Sequence, residues 1–203
     1  VRLGVRVPAL PSVAAALGYD VETWAGEGLV DLVVVSSFLL ADEGIPYADW
    51  AERIRRRAPG VVVLPALDRL LAGGRRCPSY DTDMEISRAW AANMVAEGAP
   101  GAYLFNFPYL NSDECPETAW TRMPERIYAE GFLPGEVVRG ARRYALAYHD
   151  CTAGGIPDGA QLPVPSGTGT NLFVRIAHNP APGETVGAFS SGEVVWCDVF
   201  IRP

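Results

Sequence analysis

Three observations predict an α/β chain built on a parallel sheet. Apolar strand-like runs alternate with helix-patterned stretches four times over the first two thirds of the sequence. Two of those runs, Leu32-Val33-Val34-Val35 and Val61-Val62-Val63-Leu64, have no polar alternation, as strands buried on both faces require. After Gly140 the pattern turns to short strand-like segments separated by Gly, Pro and Ser. Four parallel strands alone leave two open edges, and four more βα units upstream would close them into a ring. The expectation is therefore the C-terminal half of a (β/α)8 TIM-type barrel over residues 1–140, then a small β-rich, sandwich-like domain over residues 141–203. The chain begins at Val1 without Met and runs at once into a strand, which fits a missing N-terminal half of the same barrel.

The elements follow in order. Residues 2–7 form the first strand, and a helical stretch covers residues 12–27, interrupted near Gly18 and restarted by Asp20 as an N-cap. Residues 29–36 make the second strand. Residues 46–57 make a helix with Pro46 in its first turn and a basic last turn that suits the helix dipole. The third strand is residues 61–66. Asp83 then caps a helix that carries Ile86, Trp90 and Met94 on one face and stops at Gly98. Residues 102–106 form the fourth strand, followed by a helical region over residues 116–130 that Pro124 kinks. In the β-rich part, residues 144–148, 172–177 and 194–201 are the strand candidates. Trp24, Trp50, Trp90 and Trp120 fall within helices and are expected to pack against the sheet.

Composition narrows the partners. The 203 residues are 49% hydrophobic and 20% charged, which is globular, and carry a formal net charge of -7 with a pI near 4.9. An acidic chain is a poor match for nucleic acid or an anionic membrane, and small neutral molecules stay open as ligands. No apolar run approaches the roughly 20 residues of a membrane-crossing helix. Cys77, Cys115, Cys151 and Cys197 show no metal-ligand spacing, so no metal is expected. Cys77 and Cys115 fall in loops and can pair if the compartment is oxidising, with free, part-buried thiols as the alternative; the sequence leaves the compartment open, and an extracytoplasmic one would have its signal region outside this chain. His149 and His178 lie in the β-rich part, away from any ligand pattern. The absence of G-x-G-x-x-G, G-x-x-x-x-G-K-[ST] and G-x-S-x-G motifs signals no cofactor and no serine-hydrolase elbow.

In a βα barrel the reactive groups stand at the C-terminal ends of the strands. Those positions hold Arg6 and Pro8, then Ser36, Ser37 and Phe38, then Asp68, then Asn106, Phe107 and Tyr109. Hydrogen-bonding groups interleaved with aromatic rings suit a sugar, whose hydroxyls and C–H faces need both. Asp68 is the one carboxylate at a strand end and the candidate catalytic group; its structural alternative is a cap on the turn at residues 69–72. Arg6, Ser37, Asn106 and Tyr109 are candidate substrate-binding residues, joined by Tyr80 on the long loop after the third strand. Arg6 can instead pair with a carboxylate on a neighbouring strand, Asn106 can bridge two loops as a core amide, and Tyr80 can simply pack on the surface.

The runs Val1-Arg2-Leu3-Gly4-Val5-Arg6-Val7-Pro8, Leu17-Gly18-Tyr19-Asp20-Val21-Glu22-Thr23-Trp24 and Gly28-Leu29-Val30-Asp31 resemble the second half of bacterial family-10-like glycosyl hydrolases. Gly101-Ala102-Tyr103-Leu104-Phe105-Asn106-Phe107 is similar to the last barrel strand of that family, and Arg143-Tyr144-Ala145-Leu146 to the segment leading into its terminal β domain. The resemblance covers about residues 1–150. It implies a (β/α)8 barrel that acts on glycosidic bonds, or descends from enzymes that do, with a carbohydrate substrate. Many retaining glycosidases carry Glu where this chain has Asp68. The leading expectation is a glycoside hydrolase whose second carboxylate lies outside this chain. Beside it stands a non-catalytic carbohydrate-binding or surface-assembly protein on the same scaffold. A flavin- or phosphate-dependent barrel needs a phosphate-binding turn, toward which the loops offer only Arg75 and Arg76 as an obvious basic pair.

Overall fold

A computed structural model of the chain describes residues 1–37, 41, 44–68, 84–105, 137, 140–147, 171, 173–190 and 196–202. It is an α/β structure: a four-stranded parallel sheet alternating with helices, and a small three-stranded antiparallel sheet. The parallel sheet comprises β1 (Gly4–Pro8), β2 (Leu32–Ser36), β3 (Val62–Asp68) and β4 (Tyr103–Phe105), side by side in sequence order. Between them lie α1 (Pro11–Ala16), α2 (Val21–Gly26), α3 (Tyr47–Arg57) and α4 (Met84–Ala96). The antiparallel sheet has the order β5 (Arg142–Ala147), β7 (Trp196–Arg202), β6 (Thr185–Ser190).

The helical stretch breaks where expected. Gly18 takes a φ of 83°, which only glycine adopts without strain, and the Asp20 carboxylate accepts from Thr23 N at 3.3 Å to start α2. Gly98, at φ 88°, closes α4. The predicted second strand begins three residues late. Leu29 and Val30 follow the turn that closes the preceding helix, where Gly28 has a φ of 72° and Leu29 N donates to Trp24 O. Asp31 then joins the starts of two strands: its carboxylate accepts from Leu3 N at 2.7 Å and its own N–H donates to Leu3 O.

Register fixes the two faces of the parallel sheet. Val5 and Val7, Val33 and Val35, Val63 and Leu67, and Leu104 share one face, and all join a single core with Ala14, Val21, Trp50, Ile54, Ile86 and Trp90 from the four helices. All four helices therefore cover the same side. Each well-buried aliphatic side chain in that core contributes roughly 1.5–3 kcal/mol. Helix α4 is also covered on its far side, because Ala89 packs with Tyr144 of β5 and Ile201 of β7. That double burial explains why eight of its residues are buried, Ser87 and Asn93 among them.

One expected strand is corrected. Residues 173–176 form no strand; Phe173 and Ile176 are exposed, and Val174 instead packs on the Tyr144 and Ile201 cluster. The place beside β7 is taken by β6, where Gly187 lies opposite Phe200 and leaves room for its ring. The expected helix over residues 116–130 lies outside the described residues.

Candidate functional site

The face of the sheet turned away from the helices carries Arg6 and Pro8 from β1, Val34 and Ser36 from β2, Leu64, Ala66 and Asp68 from β3, and Phe105 from β4. It is apolar through its middle and polar toward the C-terminal ends of the strands. Strand alternation alone assigns these residues, since neighbours two apart share a face.

Asp68 ends β3 and is completely buried, in register with Phe105 on β4. Arg6 reaches across from β1 and stacks on that ring, its Cζ 3.7 Å from the centroid. A cation at this distance from an aromatic face is attracted by the ring quadrupole. Strands lie about 4.8 Å apart, so β1 and β4 would be roughly 14 Å apart in a flat sheet. Contact between side chains on the two outer strands means that the sheet curls toward this face. Arg6 makes no carboxylate pair among the described residues, contrary to the neighbouring-strand ion pair that the sequence left open. Its Nη1 is buried and has no hydrogen-bond partner there.

Ser36 and Ser37 are both buried at the end of β2, and Ser36 Oγ donates to Ser37 O at 2.8 Å. The end of β1 is held from the helical side, where Trp50 Nε1 donates to Ala9 O at 2.7 Å. Tyr47, one turn earlier on α3, points its hydroxyl at Val63 O, 3.4 Å away. Burial pushes that phenol above its usual range, with Arg55 working in the opposite direction.

Of the predicted site residues, the structure places Arg6 at the middle of β1, Ser37 just beyond the end of β2 and Asp68 at the end of β3. Tyr80, Asn106 and Tyr109 lie outside the described residues. Phe105, which the structure sets level with Asp68 and under Arg6, is not among the residues that the sequence singles out. Its signal was the parity that sets it level with Asp68, and parity needs the strand register that composition does not supply. Among the described residues no group of three His, Cys, Asp or Glu is placed to hold a metal ion. A separate cleft of about 430 Å³ lies on the helical side between α1, α2 and α3. Glu22 in its wall is already paired with Arg53 and Arg57, so its charges are spent within the protein.

Compared with protein families and with curated proteins, the chain matches none.

Proposed function

We propose that this chain supplies half of a closed (β/α)8 barrel that cleaves glycosidic bonds, with Asp68 as one of its two carboxylates. The observation that carries the reading is the position of Asp68: a fully buried carboxylate at the C-terminal end of a parallel strand, level with an aromatic ring and on the curled face of the sheet. An acid on that face can act as nucleophile or base toward a sugar acetal, and Phe105 offers a surface for its C–H face.

Two features support the barrel. Sequential strands with every helix on one side are how such barrels are wound. The offset of the Arg6 contact along the strands is also close to what a barrel would give. Leu64 is level with Arg6 through Val34, and the pairing of Ala66 with Tyr103 sets Leu64 level with Gly101. Phe105 is four positions beyond Gly101 toward the C-terminal end. An eight-stranded barrel of shear eight staggers its strands by about one residue each, or about three over the span from β1 to β4. The small antiparallel sheet then corresponds to a terminal β domain, as the resemblance to family-10-like glycosyl hydrolases implies.

A second reading is favoured by a specific observation. Asp68 is the only carboxylate that the described strands place on this face, whereas glycosidic cleavage ordinarily needs two. A non-catalytic carbohydrate-binding protein would keep the ring and the guanidinium and need no second acid.

The deciding experiment is hydrolysis of a panel of aryl glycosides and oligosaccharides by the full-length protein beside Asp68→Asn. Activity that disappears in the variant while the melting curve stays put makes Asp68 a catalytic carboxylate. Binding without turnover in both proteins selects the second reading, and neither binding nor turnover rejects both.

A further inference from the structure

We infer that Arg6 recognises an acidic group on the ligand, and that the saccharide taken by this face is a uronate rather than a neutral sugar. The inference rests on the carbohydrate reading of the same site and adds a substrate class to it. A guanidinium presents five donors in a planar fork and never loses its charge at physiological pH. Placed inside a protein it is ordinarily met by a carboxylate or by carbonyl oxygens, because an unmatched buried donor carries a desolvation cost. Arg6 meets neither among the described residues: its Nη1 is buried without a hydrogen-bond partner, and its one described contact is the Phe105 ring.

That contact is what makes the arrangement a recognition device. Stacking fixes the plane of the guanidinium while leaving its N–H edge unspent, so the fork is oriented before any ligand arrives. A planar carboxylate matches such an edge with two parallel hydrogen bonds. The charge balance argues for a single negative charge on the ligand. Arg6 is the one cation that the described strands place on this face, and the Asp68 carboxyl lies on the same face, level with the Phe105 ring on which Arg6 stacks, so a phosphate or other dianion would be poorly matched. The overall charge of -7 adds no long-range attraction for an acid, so selection depends on this local contact.

The test compares methyl glucuronide and methyl galacturonide with the corresponding neutral glucoside and galactoside, titrated into the full-length protein and followed by calorimetry or NMR. One uronide should bind roughly tenfold or more tightly than its neutral counterpart, the worth of a charge-assisted contact. Arg6→Met should bring that ratio to about one, while Arg6→Lys, which keeps the charge but loses the fork, should retain part of it. Near-ultraviolet circular dichroism checks the fold of each variant, and if Arg6→Met does not fold, Arg6→Lys carries the comparison. Equal binding of acidic and neutral sugars overturns the inference and leaves the carbohydrate reading standing. A preference for uronides that survives both substitutions overturns the role of Arg6. If no sugar of the four binds, the carbohydrate reading falls and this inference falls with it.

Discussion

Arg6 and Phe105 stand on the first and fourth strands of the parallel sheet, and the guanidinium carbon lies 3.7 Å from the centre of the ring. Two strands separate them, so the contact is a direct measure of curvature. It also ties the two outer strands together through side chains, where the backbone ladder joins them only by way of β2 and β3.

A double-mutant cycle of Arg6→Met and Phe105→Leu should therefore give a coupling energy of about 0.5–2 kcal/mol in urea unfolding, the range for a cation held against an aromatic face with partial desolvation. Strictly additive losses would mean that the two side chains do not interact in solution, and the curvature argument would lose its support.

Glu97, just beyond α4, links α3 to the segment that holds Arg175. Its Oε2 accepts from Ala48 N at 2.9 Å in the first turn of α3, and its other oxygen pairs with Arg175. The first acts as a cap on a helix that has none from its own N-cap, Pro46. Glu97→Ala should lower stability by about 1–2 kcal/mol, and Arg175→Ala by less than about 1 kcal/mol, because the second change removes only a partly exposed ion pair and leaves the cap in place. Equal losses from the two substitutions would assign the effect to the ion pair and not to the cap.

The pH dependence of stability carries the signature of Tyr47. Burial holds its phenol above the usual value, so the folded chain keeps the proton after the unfolded chain has begun to release it. Stability from this group is complete below about pH 10, where the unfolded phenol is still neutral, and is lost as pH rises toward the folded value. Tyr47→Phe should flatten that alkaline decline relative to the wild type and change little at neutral pH, where the hydrogen bond it removes is long. The same alkaline slope in both proteins would place the titration elsewhere.

What was legible in the sequence was whatever local chemistry decides. Gly18 and Asp20 marked a break because one tolerates positive φ and the other caps, and both do so. The β2 and β3 runs were visible because a strand covered on both faces tolerates no polar alternation. The start of β2 lies later than the pattern predicts because Leu29 and Val30 are as apolar as the strand that follows, and only Asp31 stands between them and it. The exchange of residues 173–176 for β6 has the same root. Val186 and Phe189 offer no stronger pattern than Phe173 and Ile176, and the choice is made by pairing with β7, a contact distant in sequence. At the candidate site, the positions of Ser37 and Asp68 at the ends of β2 and β3 were legible from the strand pattern, whereas the Arg6–Phe105 stack depends on curvature that no local pattern encodes.

The antiparallel sheet has its own clasp, a buried ion pair in which each partner is costly to lose alone. Arg142 at the start of β5 is almost wholly buried and reaches past β7 to Glu184, its Nη2 3.0 Å from both carboxylate oxygens. Glu184 also accepts from Ala181 N at 2.7 Å, which fixes the turn leading into β6. Glu184→Gln removes the charge opposite a buried guanidinium and should cost about 3 kcal/mol, far more than an exposed pair. Adding Arg142→Met should recover part of that loss, because the guanidinium that faces the missing carboxylate is then removed as well. Amide exchange should locate the effect, with faster exchange in β5, β6 and β7 and unchanged protection in β1, β2 and β3. A uniform rise across both sheets would instead mean that the two unfold as a single cooperative unit, coupled through the packing of α4 between them.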